Sequence, residues 1–396
     1  MEIVLATHRM DRHGGTETYV TTAAAALEGL GHAVTIFASE QGPAAELARS
    51  TGLTVVSDPE QLPEACGGVI SSSADVALEL AARYPLAPRL MVLHATTFVL
   101  FAPSALPGVV HGLVVLNDRV GRWARSTQAA EGVPVIRLRQ PIETRERFRP
   151  RGTVGPRLRR IAAVGNYLDG DRLELLRAAA DRVGAEVSLV GAMGTSTDTP
   201  EVEICKADAV VGLGRSAIEG MACGRPVYVT DREGCDGWVT RERYARIEAE
   251  GFAGLAFAER PSVESLARDF AAFDPQLGID ARELVQANHR ADVHAAQLVA
   301  ELERVAETGA AASPVDRAVL LEQARLHRGE WVARERLLAL AHRLDGELQY
   351  SRRLQDEVAD IDQRLRATTR ILDTRPHRAL EAALRPLGRW RHRGSA

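Results

Sequence analysis

The chain has 396 residues, of which 45% are hydrophobic and 26% are charged, and its formal net charge is −4. The length predicts two or three domains, and the composition excludes a disordered or fibrous protein and argues against a nucleic-acid partner. The cysteines form no C-x-x-C pair, so neither a disulfide framework nor a zinc site is indicated; they are Cys66, Cys205, Cys223 and Cys235.

Short apolar runs alternate with helical stretches in the first 140 residues. A helix is predicted from about Thr16 to Leu30, and strands are predicted at "IVLAT", "AVTIF", "LTVV", "GVISS", "LMVLH", "LVVLN" and "VPVIRL". Continuous β-branched runs separated by helices predict a parallel, doubly wound sheet. The chain starts on a strand, without the features of a signal peptide, and this predicts a cytoplasmic protein.

The same pattern restarts after a basic connector, "RQPIETRERFRPRGTVGPRLRR". Strands are predicted at "RIAAVG", "EVSLVG", "ADAVVG" and "PVYVT", with a helix from about Asp171 to Val183, and residues 241–309 read mostly as helices. Two α/β units in tandem predict two Rossmann-like domains with a cleft between them. We place an N-terminal acceptor domain at 1–148, a compact donor domain at 149–309 and a helical extension at 310–396.

The extension carries a heptad repeat. With Leu337 as an a position, eight of the eleven a and d sites through Leu372 are apolar, and Glu347, Ser351 and Thr368 are the polar ones. This predicts a coiled coil that joins copies of the chain through residues 337–372, and the alternative is a helical hairpin docked on the second domain. Residues 376–393 form a basic amphipathic segment, which predicts peripheral contact with the inner face of the cell membrane; a solvated tail is the alternative.

The segment "VVGLGRSAIEGMACGRPVYVTD", residues 210–231, allows two interpretations. Gly212, Gly214 and Ala217 fit the fingerprint G-x-G-x-x-G/A, with Asp231 near the expected ribose acid, which suggests an NAD-dependent oxidoreductase. Its position in mid-chain, its short helix and Glu219 within that helix favour the other interpretation, in which the helix start binds a diphosphate and Glu219 binds ribose hydroxyls.

Two further features lie where strands of the first domain end. Gly14 and Gly15 follow the first strand and precede a helix whose first N–H groups favour an anion. His94 ends the strand "LMVLH" at the carboxyl edge, where open α/β sheets bind ligands. Thr96, Thr97 and the apolar loop after them are candidates for an acceptor wall.

The segments "HGGTETYVTTAAAALEGLGHAVTIFA" and "IEGMACGRPVYV" and the link ending "RFRP" resemble the retaining, nucleotide-sugar-dependent glycosyltransferases of family 4. The resemblance spans about residues 1–305 and implies the GT-B fold. It implies that Gly14 and Gly15 face the donor phosphate and sugar, and that His94 lines the cleft near the transferred sugar. It further implies that Glu219 binds the donor ribose and that the N–H groups of Ser216 and Ala217 hold the diphosphate.

Three positions depart from the family pattern. Val211 stands where the family has a glutamate that touches the sugar hydroxyls, and Asn166 and Asp171 stand in place of an arginine and a lysine that neutralise the diphosphate. Because a carboxylate repels a phosphate, we expect Arg172 and Arg215 to supply the missing positive charge.

We therefore expect a glycosyltransferase that moves a sugar, with retention, from a nucleotide-diphosphate sugar to a cell-envelope glycan or lipid-linked acceptor, as in polysaccharide biosynthesis. Neither a metal nor another cofactor is expected. The first alternative is a catalytically degenerate GT-B-like scaffold protein, and the second is the NAD-dependent oxidoreductase.

Overall fold

The computed structural model describes residues 1–96, 99–165, 170–191, 197, 199–230, 234–257, 259–309 and 311–372. The chain divides into two compact units, Met1–Arg328 and Gly329–Ala396. The first unit contains two β-sheets. Asn166, Asp231, Thr97 and the tail 376–393, which the sequence analysis singled out, lie outside the described residues.

The first sheet is a parallel, doubly wound sheet, as predicted. Its order is β3-β2-β1-β4-β5-β6-β7, so the winding direction reverses between β1 and β4. The strands are β1 (Glu2–Met10), β2 (Ala33–Gln41), β3 (Thr54–Val56), β4 (Gly68–Ser71), β5 (Arg89–Leu93), β6 (Gly112–Val115) and β7 (Val135–Arg137).

Helices cover both faces of this sheet, which explains why its strands have apolar residues on both faces. In β1, Ile3 and Leu5 contribute to the core on one face, whereas Val4 and Ala6 contribute to the core on the other. The helices are α1 (Gly15–Gly29), α2 (Pro43–Ser50), α3 (Ala74–Arg83) and α4 (Asp118–Arg125).

The second sheet has the order β12-β11-β10-β8-β9, and its winding reverses between β8 and β10. Its last strand, β12, runs antiparallel to β11 and was not predicted. The strands are β8 (Arg160–Val164), β9 (Glu186–Val190), β10 (Ala209–Gly212), β11 (Val227–Thr230) and β12 (Cys235–Trp238), and the helices among them are α5 (Gly170–Val183), α6 (Pro200–Lys206) and α7 (Gly214–Ala222).

The following residues are mostly helical, as predicted for 241–309. They form α8 (Arg241–Ala249), α9 (Val263–Ala271), α10 (Gln276–Asn288) and α11 (Ala291–Thr308). The last of these packs against α1 and the first sheet, where Leu298 and Leu302 are fully buried. The domain limits at 148 and 309 stay a prediction, and α11 shows that the first core draws on residues within the predicted second domain.

A buried arginine holds the segment after α11 on the first sheet. The Arg89 guanidinium donates to Ala311 O and to five nearer carbonyls, and burial lowers its pKa to about 10. The five are those of Tyr84, Pro85, Ala87, Gly108 and Val109. The helix α12 (Arg317–Leu372) begins directly afterwards, and its residues Leu320 and Ala324 are buried in the core around α3 and α4.

The second unit contains most of α12, which confirms the helical extension predicted from the heptads. Its leucines at a and d positions are exposed, and coiled-coil pairing stays a prediction. The side chains of Thr368 and Leu372 lie outside the described part. Among the described residues, no helix has both the length and the apolar character needed to cross a bilayer.

Candidate active site

The candidate site lies at the carboxyl edges of the two sheets, where open α/β sheets bind ligands. In the first sheet, Gly14 and Gly15 follow β1 and His94 follows β5. In the second sheet, β10 ends at Gly212 and α7 begins at Gly214. Each sheet therefore presents a helix start beside the point where its winding reverses.

Arg215, in the first turn of α7, connects this helix start to α1 beside the first sheet. Its Nη2 donates to Thr22 Oγ1 on α1 at 3.0 Å, and its Nη1 donates to Pro141 O in the connector at 2.9 Å. Its Nε donates to Glu219 Oε1 at 2.8 Å. The guanidinium thus contacts both α/β parts and a carboxylate. Burial lowers the Arg215 pKa, and the negative charge of Glu219 opposes this shift.

Glu219 lies one turn further along α7 and is buried with Arg215, each side chain being 9% exposed. Burial raises the Glu219 pKa, while the positive charges of Arg215 and Arg147 oppose the rise. The structure therefore brings together the two residues predicted to bind diphosphate and ribose, and it pairs them with each other. Their predicted contacts with a donor stay a prediction.

The start of α7 is formed by a sharp turn. Gly214 has φ +52°, and its N–H donates to Phe252 O at 2.9 Å. The N–H of Ser216, predicted to bind diphosphate, donates to Leu213 O at 3.1 Å, and Ala217 is fully buried. A diphosphate that reached this helix start would therefore compete with Leu213 O for the Ser216 N–H.

The start of α1 has an acidic neighbour that the sequence analysis missed. The Glu17 carboxylate lies so close to Gly14 that a Cβ at residue 14 would collide with it, whereas a Cβ at Gly15 would meet nothing within 4 Å. Burial raises the Glu17 pKa, and the negative charge of Asp11 adds to this rise. Space for a ligand beside the glycine pair therefore depends on the position of Glu17.

His94 belongs to a cluster of rings. Its Nε2 lies 3.1 Å from Ser72 Oγ, and its ring makes an edge contact with Tyr19 at 4.9 Å between centroids. The Tyr19 hydroxyl is 2.8 Å from His294 Nε2 on α11. Burial, with the nearby His294 and Arg215, lowers the His94 pKa to about 3, so the imidazole is neutral at pH 7. Tyr19 and His294 were not predicted.

A histidine–aspartate pair lies on the other face of the same sheet. His8 Nδ1 lies 2.8 Å from Asp75 Oδ2, and Ser73 Oγ donates to Asp75 Oδ1 at 2.8 Å. Burial would raise the Asp75 pKa, but the contact with His8 and the bond from Ser73 bring it below its usual value. This network fixes the start of α3 next to Ser72.

Solved structures identify this arrangement of two sheets. A glycosyltransferase from Rickettsia africae ESF-5 aligns with a TM-score of 0.57 and 14% identity over 78% of this chain and 99% of its own. Anabaena Alr3699/HepE in complex with UDP and glucose aligns with a TM-score of 0.52 and 12% identity over 77% of this chain and 100% of its own. The chain has the GT-B fold. Neither a protein-family model nor a curated protein sequence matches it.

The GT-B fold does not place Val211 in the cleft. Val211 lies in β10, paired with Ala163 and Tyr228, and its side chain is fully buried in the core beside α5. Only Leu213 separates β10 from α7, so no loop at this point could carry a sugar-binding side chain. The eight-residue spacing before Glu219 therefore aligns a core residue with the family's first glutamate, in agreement with the strand predicted at "ADAVVG".

The cations expected to replace the family's arginine and lysine lie on different helices. Asp171 is exposed in the first turn of α5, and Arg172, the next residue, is half-buried. Arg215 is the cation that the structure brings to Glu219. The prediction that Arg172 binds the diphosphate stays a prediction.

Proposed function

We propose that this protein is a glycosyltransferase that moves a sugar from a nucleotide-diphosphate donor to a cell-envelope glycan or lipid-linked acceptor. One observation carries the proposal. The side chain of Arg215, at the start of α7 beside the carboxyl edge of the second sheet, is hydrogen-bonded both to Glu219 and to Thr22 in the middle of α1. The complex of Alr3699/HepE with UDP and glucose supports a nucleotide sugar as the donor.

Donor binding would exchange protein contacts for ligand contacts. Glu219 would turn from Arg215 to the ribose hydroxyls, and Arg215 would turn from Glu219 to the diphosphate. The exchange would leave Arg215 paired with the diphosphate and the Glu219 carboxylate hydrogen-bonded to hydroxyls, which matters because an uncompensated buried charge costs several kcal/mol. Fixed helix-end dipoles and the Arg215 charge would then stabilise the leaving diphosphate without a metal ion.

His94 would orient the reacting sugar as a neutral hydrogen-bonding group. Its lowered pKa keeps the imidazole uncharged at pH 7, and Ser72 and Tyr19 fix the ring. In the proposed cleft, the donor-side groups would come from α7 and His94 would come from the first sheet. On this basis, and on the family resemblance, we propose transfer with retention of configuration.

The acceptor and the location are proposed from the sequence. The apolar loop after His94 suits a lipid-linked acceptor, and the basic segment 376–393 suits an anionic membrane surface. A cytoplasmic enzyme that contacts the inner face of the membrane peripherally would meet both requirements.

A nucleotide screen tests the proposal. We expect a nucleoside diphosphate or nucleotide sugar to raise the melting temperature of the full chain, both with Mg²⁺ and with EDTA. The Glu219→Gln variant should lose this shift, whereas Glu131→Gln, an exposed carboxylate on the first domain, should keep it. A ligand shift that survives Glu219→Gln would contradict the site, and a shift that requires Mg²⁺ would contradict metal independence. Proton NMR of the anomeric product decides retention.

A catalytically degenerate scaffold is the second candidate. Arg215 and Glu219, the groups proposed to bind the donor, already bind each other, and Val211 is a core residue. Calorimetry separates the two candidates. Heat of binding from any nucleotide sugar supports the transferase, and its absence across uridine, guanosine, adenosine and thymidine donors supports the scaffold.

A further inference from the structure

The second unit has an apolar seam that lies open along α12. The a and d residues of this seam are between 42% and 67% exposed: Leu337, Leu340, Leu344, Leu354, Val358, Ile361 and Leu365. A helix with such a stripe gains stability when a second helix covers it. The sequence predicts a coiled coil here, and the pattern of charges and polar residues allows its partner and direction to be inferred.

We propose that α12 pairs with α12 of a second copy of this chain in an antiparallel coiled coil centred on Gln349. This proposal deepens the predicted self-association and does not depend on the proposed transferase activity. The segment that pairs, residues 337–361, is about 37 Å long at 1.5 Å per residue. It includes more than three heptads, a length at which heptad patterns indicate a coiled coil.

The polar seam positions decide the direction. In a parallel dimer each position faces its own copy, so Glu347 would lie against Glu347 and bring two carboxylates together in an apolar seam. In the antiparallel arrangement centred on Gln349, a positions face d positions, and Glu347 faces Ser351 of the second copy. The polar residues thus meet each other, and a single polar layer of this kind fixes the register of a coiled coil.

The apolar positions match in the same register. Leu337 faces Ile361 of the second copy, and Leu344 faces Leu354. Val358 faces Leu340 in the same way. Each apolar a side chain in this span therefore meets an apolar d side chain, and the twofold symmetry repeats every contact.

The flanking charges favour the same direction. In the antiparallel register Arg343 faces Glu357 of the second copy, which gives two attractive pairs by symmetry. In a parallel dimer Glu357 would face Asp362 of the second copy, which gives two repulsive pairs. Glu357 therefore stabilises the antiparallel dimer and would destabilise a parallel one.

One contact opposes the proposal. Arg336 faces Arg364 of the second copy in the antiparallel register. Arg364 donates to Asp360 of its own helix at 2.8 Å, and this bond partly neutralises its charge. By symmetry there are two Arg336–Arg364 pairs. Because exposed charge pairs each change an equilibrium constant by only about twofold, these two pairs at most offset the two Arg343–Glu357 pairs, and the matched seam decides the direction.

A charge reversal at residue 357 tests the direction in the full chain. We expect Glu357→Arg to raise the dimer dissociation constant roughly tenfold, since two attractive pairs become repulsive. The swap Arg343→Glu with Glu357→Arg should restore the wild-type value. The control is Asp356→Arg, the same charge reversal on the outer face of the helix, which should have little effect. Sedimentation velocity over a concentration series measures each constant.

Cysteine cross-linking gives a second, independent measurement. Oxidised mixtures of full-length Leu337→Cys and Ile361→Cys should yield a cross-link between residues 337 and 361, identified by mass spectrometry of the peptides. Leu337→Cys alone should give no 337–337 cross-link, because in the antiparallel pair these residues lie at opposite ends.

Three results would overturn the proposal. They are a wild-type chain that sediments as a monomer at a protein concentration 100-fold above about 1 μM, a lower dimer dissociation constant for Glu357→Arg, and a 337–337 cross-link. None of them bears on nucleotide binding, so failure of this proposal and failure of the proposed transferase are distinguishable.

Discussion

Arg215 donates a 3.0 Å hydrogen bond to the hydroxyl of Thr22, which joins α7 beside the second sheet to α1 beside the first. The same guanidinium holds Glu219. One side chain therefore contributes both to the contact between the two α/β parts, which the pairs Arg137–Glu248 and Arg122–Glu250 also join, and to the charge balance of the candidate donor site. A ligand that recruits Arg215 must also change how the two parts are held together.

Arg215 and Glu219 should behave as a coupled pair in folding. Arg215→Ala leaves the Glu219 carboxylate buried with its main partner gone, which should lower the free energy of unfolding by about 3 kcal/mol. The double variant Arg215→Ala/Glu219→Ala should cost less than the sum of the two single variants, because no orphaned charge remains. Urea unfolding of all four proteins measures the cycle, and additive costs would show that the ion pair does not stabilise the fold as described.

Thr22→Val should strengthen nucleotide binding. If Arg215 turns to a diphosphate, its hydrogen bond to Thr22 is broken on binding. In a variant that lacks this bond, binding does not include the cost of breaking it. Removing one hydrogen bond of about 1 kcal/mol should improve the dissociation constant roughly fivefold. Thr21→Val is the matched control, since the Thr21 hydroxyl bonds within α1 to Glu17 O. Weaker binding by Thr22→Val in calorimetry would mean that the bond persists in the complex.

Gly15→Ala should weaken ligand binding without lowering the stability of the fold. A Cβ at Gly15 meets nothing within 4 Å, so the variant should be as stable as wild type or more stable by about 0.5 kcal/mol. If this glycine faces the donor, the methyl group should weaken nucleotide-sugar binding at least tenfold. At Gly14 the methyl group would displace only the Glu17 carboxylate, the far end of a flexible side chain, so Gly14→Ala should also weaken binding with little loss of stability. Unaltered affinity in Gly15→Ala would remove Gly15 from the donor site.

Val211→Glu should unfold the second sheet rather than restore sugar recognition. The side chain would bury a carboxylate in a core where Val211 is fully buried, which costs more than about 3 kcal/mol. Val211→Ile keeps the apolar character and should cost less than about 1.5 kcal/mol. A stable Val211→Glu protein with improved sugar transfer would place residue 211 in the cleft and contradict the β10 register.

The protein should lose stability in mild acid because of its buried histidines. The pKa values of His94 and His294 are lowered to about 3 and that of His289 to about 4, all from 6.5, so below pH 6.5 the unfolded chain takes up protons before the folded chain does. Their contribution is therefore complete above pH 6.5 and falls as the pH drops towards 3.

Between pH 7 and pH 5 the free energy of unfolding should fall by about 2 kcal/mol for each of these histidines. His294→Gln should remove about a third of the joint loss, whereas His342→Gln, on an exposed stretch of α12, should leave it unchanged. Denaturant titrations at the two pH values measure the difference, and an unchanged loss in His294→Gln would refute the assignment.

The sheets could be predicted because their strands are continuous runs of β-branched and apolar residues, as at β1, β5 and β10. The antiparallel strand β12 escaped prediction because "CDGW" has neither a β-branched residue nor an apolar alternation. Local patterns also located the glycine pair, His94 and Glu219, although no pattern could show that Arg215 and Glu219 pair with each other.

The contacts made across long stretches of chain could not be predicted. Tyr19 and His294 are 275 residues apart, and each alone resembles an ordinary core residue. Val211 was predicted within the strand "ADAVVG", but a motif's spacing could not show which side chains fill the core beside α5. Local sequence thus located the edges of the sheets, whereas the groups that meet there depend on tertiary packing.

The return of α11 to the first sheet has a consequence for synthesis on the ribosome. Leu298 and Leu302 complete the core that Ile3 and Leu27 begin, so the first domain stays open until residues 291–308 have left the exit tunnel. By then the whole second sheet has emerged. The second domain, although made later, can thus finish folding first. A chaperone that binds nascent apolar surface would have its longest-lived binding site on α1.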